Sequence, residues 1–226
     1  MTELELRLKA ALAAAKWLGT KEGSADHRRI LDIYNSIRPL PRGYAMQTTD
    51  PWCAAFVCAA AVEAGIGELV PKECSCGQII ELAKRMGIWI EDDAHVPMIG
   101  DWVLYNWDAA ESGDDTGAAD HVGIVAGVLD GKMLVIEGNY DNTVKLRRLT
   151  INTQTIRGFV CPRYDTLAKE DEMVRYHSLE EVPAYARGTI EKLTDDGSLR
   201  GIAEDDLGLT EELVRILVIL DRRGLL

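Results

Sequence analysis

The run CAAFVCAAAVEAG, residues 53–65, is small and apolar on every side, with Glu63 its only charge. A helix without a polar stripe cannot lie on a surface, so other elements must surround it. Its side chains are short, which lets those neighbours approach closely. Any fold for this chain therefore has a helix at its centre. The loop before it, RPLPRGYAMQTTDP, carries three prolines and a glycine and is irregular. Asp50 followed by Pro51 predicts the start, with Asp50 as N-cap and Pro51 as first helical residue.

Around this helix the patterning is helical first and extended later. Residues 4–18 read as an amphipathic helix with Leu4, Leu8, Leu12 and Ala15 on one stripe. His27 falls in SADHRRILDIYN, a charged surface helix. A further helix starts at Ser75, whose spacing to Gln78 matches a capping box. It runs through Ile79, Leu82 and Met86, and Gly87 stops it. From Gly100 onward the segments DWVLYNW, HVGIVAGV, KMLVIEGN and IRGFVCPRY read as strands. The first two are separated by the polar, acidic loop DAAESGDDTGAAD.

After Tyr164 the composition shifts. TLAKEDEMV reads as a charged linker, and LEEVPAYARGTIEKLTDDGSLRG and LTEELVRILVILDRRG as two short helices around an acidic turn. Residues 165–226 hold 8 basic and 15 acidic side chains, against 17 and 22 in the remainder. The tail thus carries most of the excess negative charge in about a quarter of the length. The expected organisation is a domain over 1–164, a linker over 165–178 and a small helical module over 179–226.

Several classes are disfavoured. A net charge of −12 argues against nucleic acid and anionic membrane as partners. No stretch approaches the roughly 18 apolar residues of a membrane span, and the first nine residues are too charged for a signal peptide. Five cysteines, an odd count, without an export signal predict reduced thiols.

A thiol attacks as thiolate, and the first turn of a helix is one place where its pKa falls. With Asp50 as N-cap, Cys53 lies in such a turn. Cys76 does too, so position alone does not choose between them. A neighbouring imidazolium is the second device, and it supplies acid and base functions. Of four histidines, His121 is the one that opens an apolar strand. The next strand ends in Glu137-Gly138-Asn139, either of whose polar residues could orient an imidazole. A two-residue turn at Asp130-Gly131 would put His121 and Glu137 on opposite faces. A three-residue turn, Leu129-Asp130-Gly131, or an equivalent bulge, places His121 opposite Asn139 with Glu137 diagonal on the same face. The second register is the one predicted.

The ordered set DPWCAAFV, GDWVLYNW, DHVGIV and VIEGN resembles the CHAP family of cysteine amidohydrolases and peptidases, over roughly residues 10–164. The resemblance implies a papain-like α+β fold and peptidoglycan as substrate and partner. It also implies Cys53 as nucleophile, His121 as general base, Glu137 as orienting acid and Asn139 in support. The oxyanion would be held by the Cys53 amide and a side-chain donor, for which Gln47, six residues before Cys53, has the papain-like spacing. The expected activity is that of a phage or prophage endolysin-like peptidoglycan hydrolase, an amidase or endopeptidase without an obligatory cofactor. Such an enzyme would be made in the cytoplasm without a signal peptide and act at the wall after release. A non-catalytic wall-binding or scaffold protein on the same fold is the alternative. The tail loosely resembles a single S-layer homology unit, which would attach to a cell wall; a packing or dimerisation module is the other reading.

The remaining candidates have simpler readings. Cys58 and Cys161 read as core residues. Cys74 and Cys76, with His95, are a third and weaker reading, a zinc set without a second cysteine pair. The acidic loop with Asp108, Glu111, Asp114, Asp115 and Asp120 could take calcium but lacks the EF-hand spacing, and a solvated loop is simpler. Trp52 and Trp107 are candidates for walls of a substrate groove that stack on sugar rings.

Overall fold

A computed structural model describes residues 1–107, 117–168, 175–203, 206–224 and 226, apart from the Glu212 side chain. The chain divides into two compact units, Met1–Lys169 and Glu170–Leu226.

In the first unit the helices are α1 (Glu3–Ala15), α2 (Ala25–Asn35), α3 (Cys53–Glu63) and α4 (Cys76–Met86). The strands are β1 (Trp89–Ile90), β2 (Trp102–Tyr105), β3 (His121–Leu129), β4 (Lys132–Tyr140), β5 (Thr143–Thr150) and β6 (Ile156–Val160), in a six-stranded sheet of order β1-β6-β2-β3-β4-β5. Every pairing in it is antiparallel. The unit is thus α+β.

The helix of all-apolar sequence is α3, and Cys53 through Ala61 are all buried in it. It packs between α1 and α2 on one side and β3 and β4 on the other. Gly138 permits the sheet contact, because a Cβ there would lie 2.5 Å from Phe56 Cβ. The face of α1 turned inward is Leu6, Arg7, Ala10, Ala11 and Ala14. The expected stripe is the wrong one: Leu4, Leu8 and Leu12 are exposed. An alanine ridge fits the alanine surface of α3 at close range, whereas a leucine ridge would hold the two axes apart. Arg7 goes inward with the ridge, pairs with Asp101 at 2.9 Å and lies 4.5 Å over the Tyr164 ring.

Other expected starts also differ. The N-cap of α3 is Trp52, not Asp50, and no side chain caps it. The Asp50 carboxylate instead accepts from the Tyr44 hydroxyl and the Gln47 amide inside the loop. Ser75 is the N-cap of α4, yet its side chain makes no cap bond, so the expected box with Gln78 does not form. Gly87 ends α4 in the left-handed conformation, as expected.

The β3–β4 hairpin decides the geometry of the site. Its turn is two residues, Asp130 and Gly131, both at positive φ, rather than three. A bulge between Val125 and Gly127 then shifts the register by one, so that Glu137 lies opposite Gly123. The equivalent bulge thus does what the longer turn was expected to do. His121 and Glu137 become diagonal neighbours on one face. The strand β5, not foreseen from the sequence, pairs along β4.

The second unit has β7 (Arg175–Tyr176), α5 (Ala184–Asp195), β8 (Leu209–Thr210) and α6 (Glu211–Arg222). β7 and β8 pair antiparallel. Tyr176, Val182, Ala186, Ile190, Leu193, Leu209, Val214 and Val218 form its core. Among the described residues no helix is long and apolar enough to cross a membrane.

Candidate active site

Cys53 is the first residue of α3, 5% exposed, and its sulfur receives the Ala54 amide. The free amides of an uncapped first turn point at this end of the helix. His121 opens β3 and pairs with Tyr105 of β2. Its ring stacks on Trp107 at 4.8 Å between centroids, with Tyr140 edge-on at 6.3 Å.

The His121 Nε2 lies 3.7 Å from Glu137 Oε2, ion-pair distance but longer than a hydrogen bond. Glu137 is fully buried. The Arg147 guanidinium of β5 donates to it at 3.1 and 3.4 Å and covers the Tyr140 ring at 4.1 Å. One carboxylate is thereby held between an imidazole and a guanidinium, which keeps its negative charge compensated inside the protein.

The electrostatics separate the two reactive groups. The Cys76 thiol, then His121, holds the Cys53 thiol well below its ordinary range in spite of burial. Burial opposes charge on His121, but Cys53 and Glu137 outweigh it and push the imidazole up to about 9. The two groups thus shift in opposite directions, each toward its charged form. By contrast burial pushes Cys58 up to about 12, in keeping with a core thiol. Tyr105 is raised by burial and by the Glu137 charge, so its phenol keeps its proton.

Residues 44–139 match the family model of the CHAP domain. Over those residues the chain is similar to the CHAP domain. Members of that family are cysteine- and histidine-dependent amidohydrolases and peptidases acting on peptidoglycan, and the α+β unit is consistent with their papain-like fold. No curated protein and no solved structure matches the chain. Cys53, His121, Glu137 and Asn139 all fall inside the matched segment of the CHAP domain, and so does Cys76.

The other expected residues divide. Asn139 sits at φ 58°, at a register break between β4 and β5, and its Oδ1 is buried without a hydrogen-bond partner. The β3–β4 pairing ends at Glu137, so Asn139 is not the ladder partner of His121. Gln47 is on the exposed loop and its carboxamide donates to the Ala45 carbonyl at 2.8 Å, a partner within its own loop. Trp52 is not a groove wall: it is fully buried, tilted against His27 with ring centroids 4.6 Å apart and edge-on to Phe56. His27 is correspondingly in the core rather than on a surface. Trp107 is 44% exposed beside His121. Tyr140 and Arg147 complete the surroundings. Neither was singled out from sequence, and Arg147 comes from a strand whose alternation of apolar and basic residues was its only signal.

The zinc set expected from Cys74, Cys76 and His95 is not assembled. Cys76 faces Cys53, Cys74 bonds to Glu73, and His95 Nε2 lies 3.6 Å from Cys161. His95, Asp101 and Cys161 do bring three ligand atoms within 4.8 Å of one another. Both Asp101 oxygens already have donors, Arg7 and the Met98 amide. The Cys161 thiol is held protonated by burial and by Asp101. That cluster is therefore a satisfied hydrogen-bonded group beside a resident cation. Of the acidic loop, Asp108, Glu111, Asp114 and Asp115 lie outside the described residues; Asp120 accepts from the Trp107 amide at 3.0 Å.

Proposed function

We propose that the first unit is a cysteine-dependent peptidoglycan hydrolase that cleaves an amide of the peptide stem, in the manner of a phage or prophage lysin. The observation that carries this reading is the grouping of Cys53, His121 and Glu137, in which Cys53 and His121 each shift toward the charged form partly under the influence of the other, and a buried carboxylate lies 3.7 Å from the ring Nε2. The Cys53 thiolate attacks the carbonyl carbon, and the negative charge moves to the oxygen. In this reading the Cys53 amide, in the uncapped first turn of α3, donates to that oxyanion. The His121 imidazolium gives its proton to the leaving nitrogen as the C–N bond breaks, which leaves a thioester. Water, deprotonated by the now neutral His121, then attacks the thioester and returns Cys53 as the leaving thiolate. Glu137 keeps the ring oriented and its cation stabilised through both halves. Trp107, half exposed and stacked on His121, forms a wall of the substrate groove. Asn139, with its unpartnered oxygen, is a supporting residue at the rim.

The test is release of soluble fragments from purified peptidoglycan by wild type and by Cys53→Ser, with mass spectra of the products. Release is expected from wild type alone, and the new termini distinguish amidase from endopeptidase. Equal release by both proteins would overturn the assignment of the nucleophile. Co-sedimentation of Cys53→Ser with the wall, without release by either protein, would favour a binding module instead.

A further inference from the structure

The first residues of α3 and α4 are both cysteines, Cys53 and Cys76, and their sulfur atoms lie 3.7 Å apart. Both are buried, at 5% and 7% exposure. We infer that Cys76 is a positioning residue of the site, a resident thiol that donates its S–H to the Cys53 thiolate. The inference rests on the reading of Cys53 as nucleophile.

Two buried sulfurs at this distance cannot both ionise, because like charges so close and so poorly solvated repel strongly. One proton is therefore shared by the pair, and the surroundings decide where it rests. Around Cys53 stand the His121 imidazole and the Ala54 amide, both of which favour negative charge. On Cys76, Asp120 and Cys58 act in the opposite sense and disfavour negative charge. The proton stays on Cys76, which is held well above the ordinary thiol range by its bond to Cys53 and by burial. Cys76 then acts as a hydrogen-bond donor to the attacking atom. It anchors one side of the thiolate while His121 holds another, so the attacking lone pair keeps a fixed direction.

A side chain that merely fills the core predicts different behaviour. Alanine would then leave the chemistry of Cys53 unchanged, and only stability would respond. The experiment is site-resolved alkylation of the full chain with iodoacetamide from pH 4 to 9, followed by mass spectrometry of the Cys53 and Cys76 peptides. Fragment release from peptidoglycan is measured on the same preparations. In Cys76→Ala the alkylation midpoint of Cys53 is expected to rise by about one pH unit, so its rate below the midpoint falls about tenfold. Cys76→Ser keeps a donor and is expected to restore most of that loss. An unchanged midpoint in Cys76→Ala overturns the inference, as does a serine variant that behaves like the alanine one. Should Cys76→Ala not fold, wild type still decides. Cys53 must alkylate at lower pH than Cys76, and the reverse order overturns the inference. Release that persists in Cys53→Ala would instead overturn the nucleophile assignment itself. Release that depends on Cys53 with an alkylation profile indifferent to Cys76 would sink this inference alone.

Discussion

Gly123 makes room for the carboxylate that supports His121, and Gly123→Ala tests how far that support matters. A Cβ at this position would lie 2.5 Å from Val135 Cγ1, 2.7 Å from Glu137 Cγ and 3.2 Å from the Ile136 oxygen. The Glu137 side chain must retreat by about 1 Å to restore ordinary contact, starting from a separation of 3.7 Å to the imidazole. At an effective dielectric constant of about 20, the pair is worth about 4.5 kcal/mol at the starting distance and about 3.5 kcal/mol after the retreat. The loss of about 1 kcal/mol corresponds to about 0.7 of a pH unit on His121. Retreat of the carboxylate destabilises the imidazolium, so the shift is downward, from about 9 to a little above 8. Overpacking also lowers fold stability by about 1–3 kcal/mol. The assay is the rate of fragment release from pH 6 to 10, together with urea unfolding. Gly127→Ala is the control in the same strand, because a Cβ there meets nothing within 4 Å. Loss of stability with an alkaline limb still at about 9 would show that Glu137 does not hold the His121 charge. A Gly123→Ala variant as stable as Gly127→Ala would show that the close packing itself is wrong.

Gly138→Ala drives a Cβ to within 2.5 Å of Phe56 Cβ and Cγ and forces α3 away from β4. A loss of about 3 kcal/mol or more in urea unfolding is expected. Arg7→Met removes the cation facing Asp101, whose burial already raises its pKa. The variant should lose about 3–5 kcal/mol at neutral pH. Part of that loss returns as the pH falls and Asp101 takes a proton; a pH-independent loss would refute the reading. The reactive pair also shapes stability against pH. His121, raised to about 9 in the fold, contributes stability that is complete below about pH 6.5 and lost as pH rises through 9. Cys53, depressed in the fold, contributes stability that is present above the ordinary thiol range and lost as pH falls through its folded value. Between about pH 6.5 and the ordinary thiol range the two trends oppose, so wild type should show a plateau there, with no further change from this pair above about pH 9. Cys53→Ala leaves His121 with less support and removes the opposing trend, so a fall should appear within that range in denaturation curves.

How much of this was legible in the sequence follows from where each determinant resides. Cys53 was legible as a candidate because it falls in the first turn of an all-apolar helix that has to be central, although position alone did not separate it from Cys76. His121 was legible as the one histidine opening an apolar strand. The support of His121 by Glu137 followed from a constraint rather than a signal, since only one of two registers puts the two on one face. The means of reaching that register was not legible. Asp130-Gly131 makes the two-residue turn that such a dipeptide favours, and the compensating residue is a bulge four positions away, at Ala126, with nothing unusual in its own identity.

The misreadings share one cause, which is that tertiary partners outrank local patterns. Asp50 has the identity of an N-cap, but Tyr44 and the Gln47 amide engage its carboxylate within the preceding loop, and the helix starts two residues beyond Pro51. The leucines of α1 outweigh its alanines in any hydropathy pattern, yet a neighbour made of alanine selects the alanine ridge, because close approach gains more dispersion contact than leucines held at a distance. His27 is buried because Trp52, 25 residues later in the chain, offers it a ring to pack against. Arg147 reaches the site from an edge strand whose turn, Asp141-Asn142, takes positive φ at both residues without a glycine to announce it. Cys76 was visible only as a rival to Cys53. That the two are neighbours depends on the convergence of two helix starts, which 22 intervening residues do not encode locally. Chemistry-bearing residues were readable where the chemistry constrains position along the chain, and unreadable where they answer to something packed against them from elsewhere.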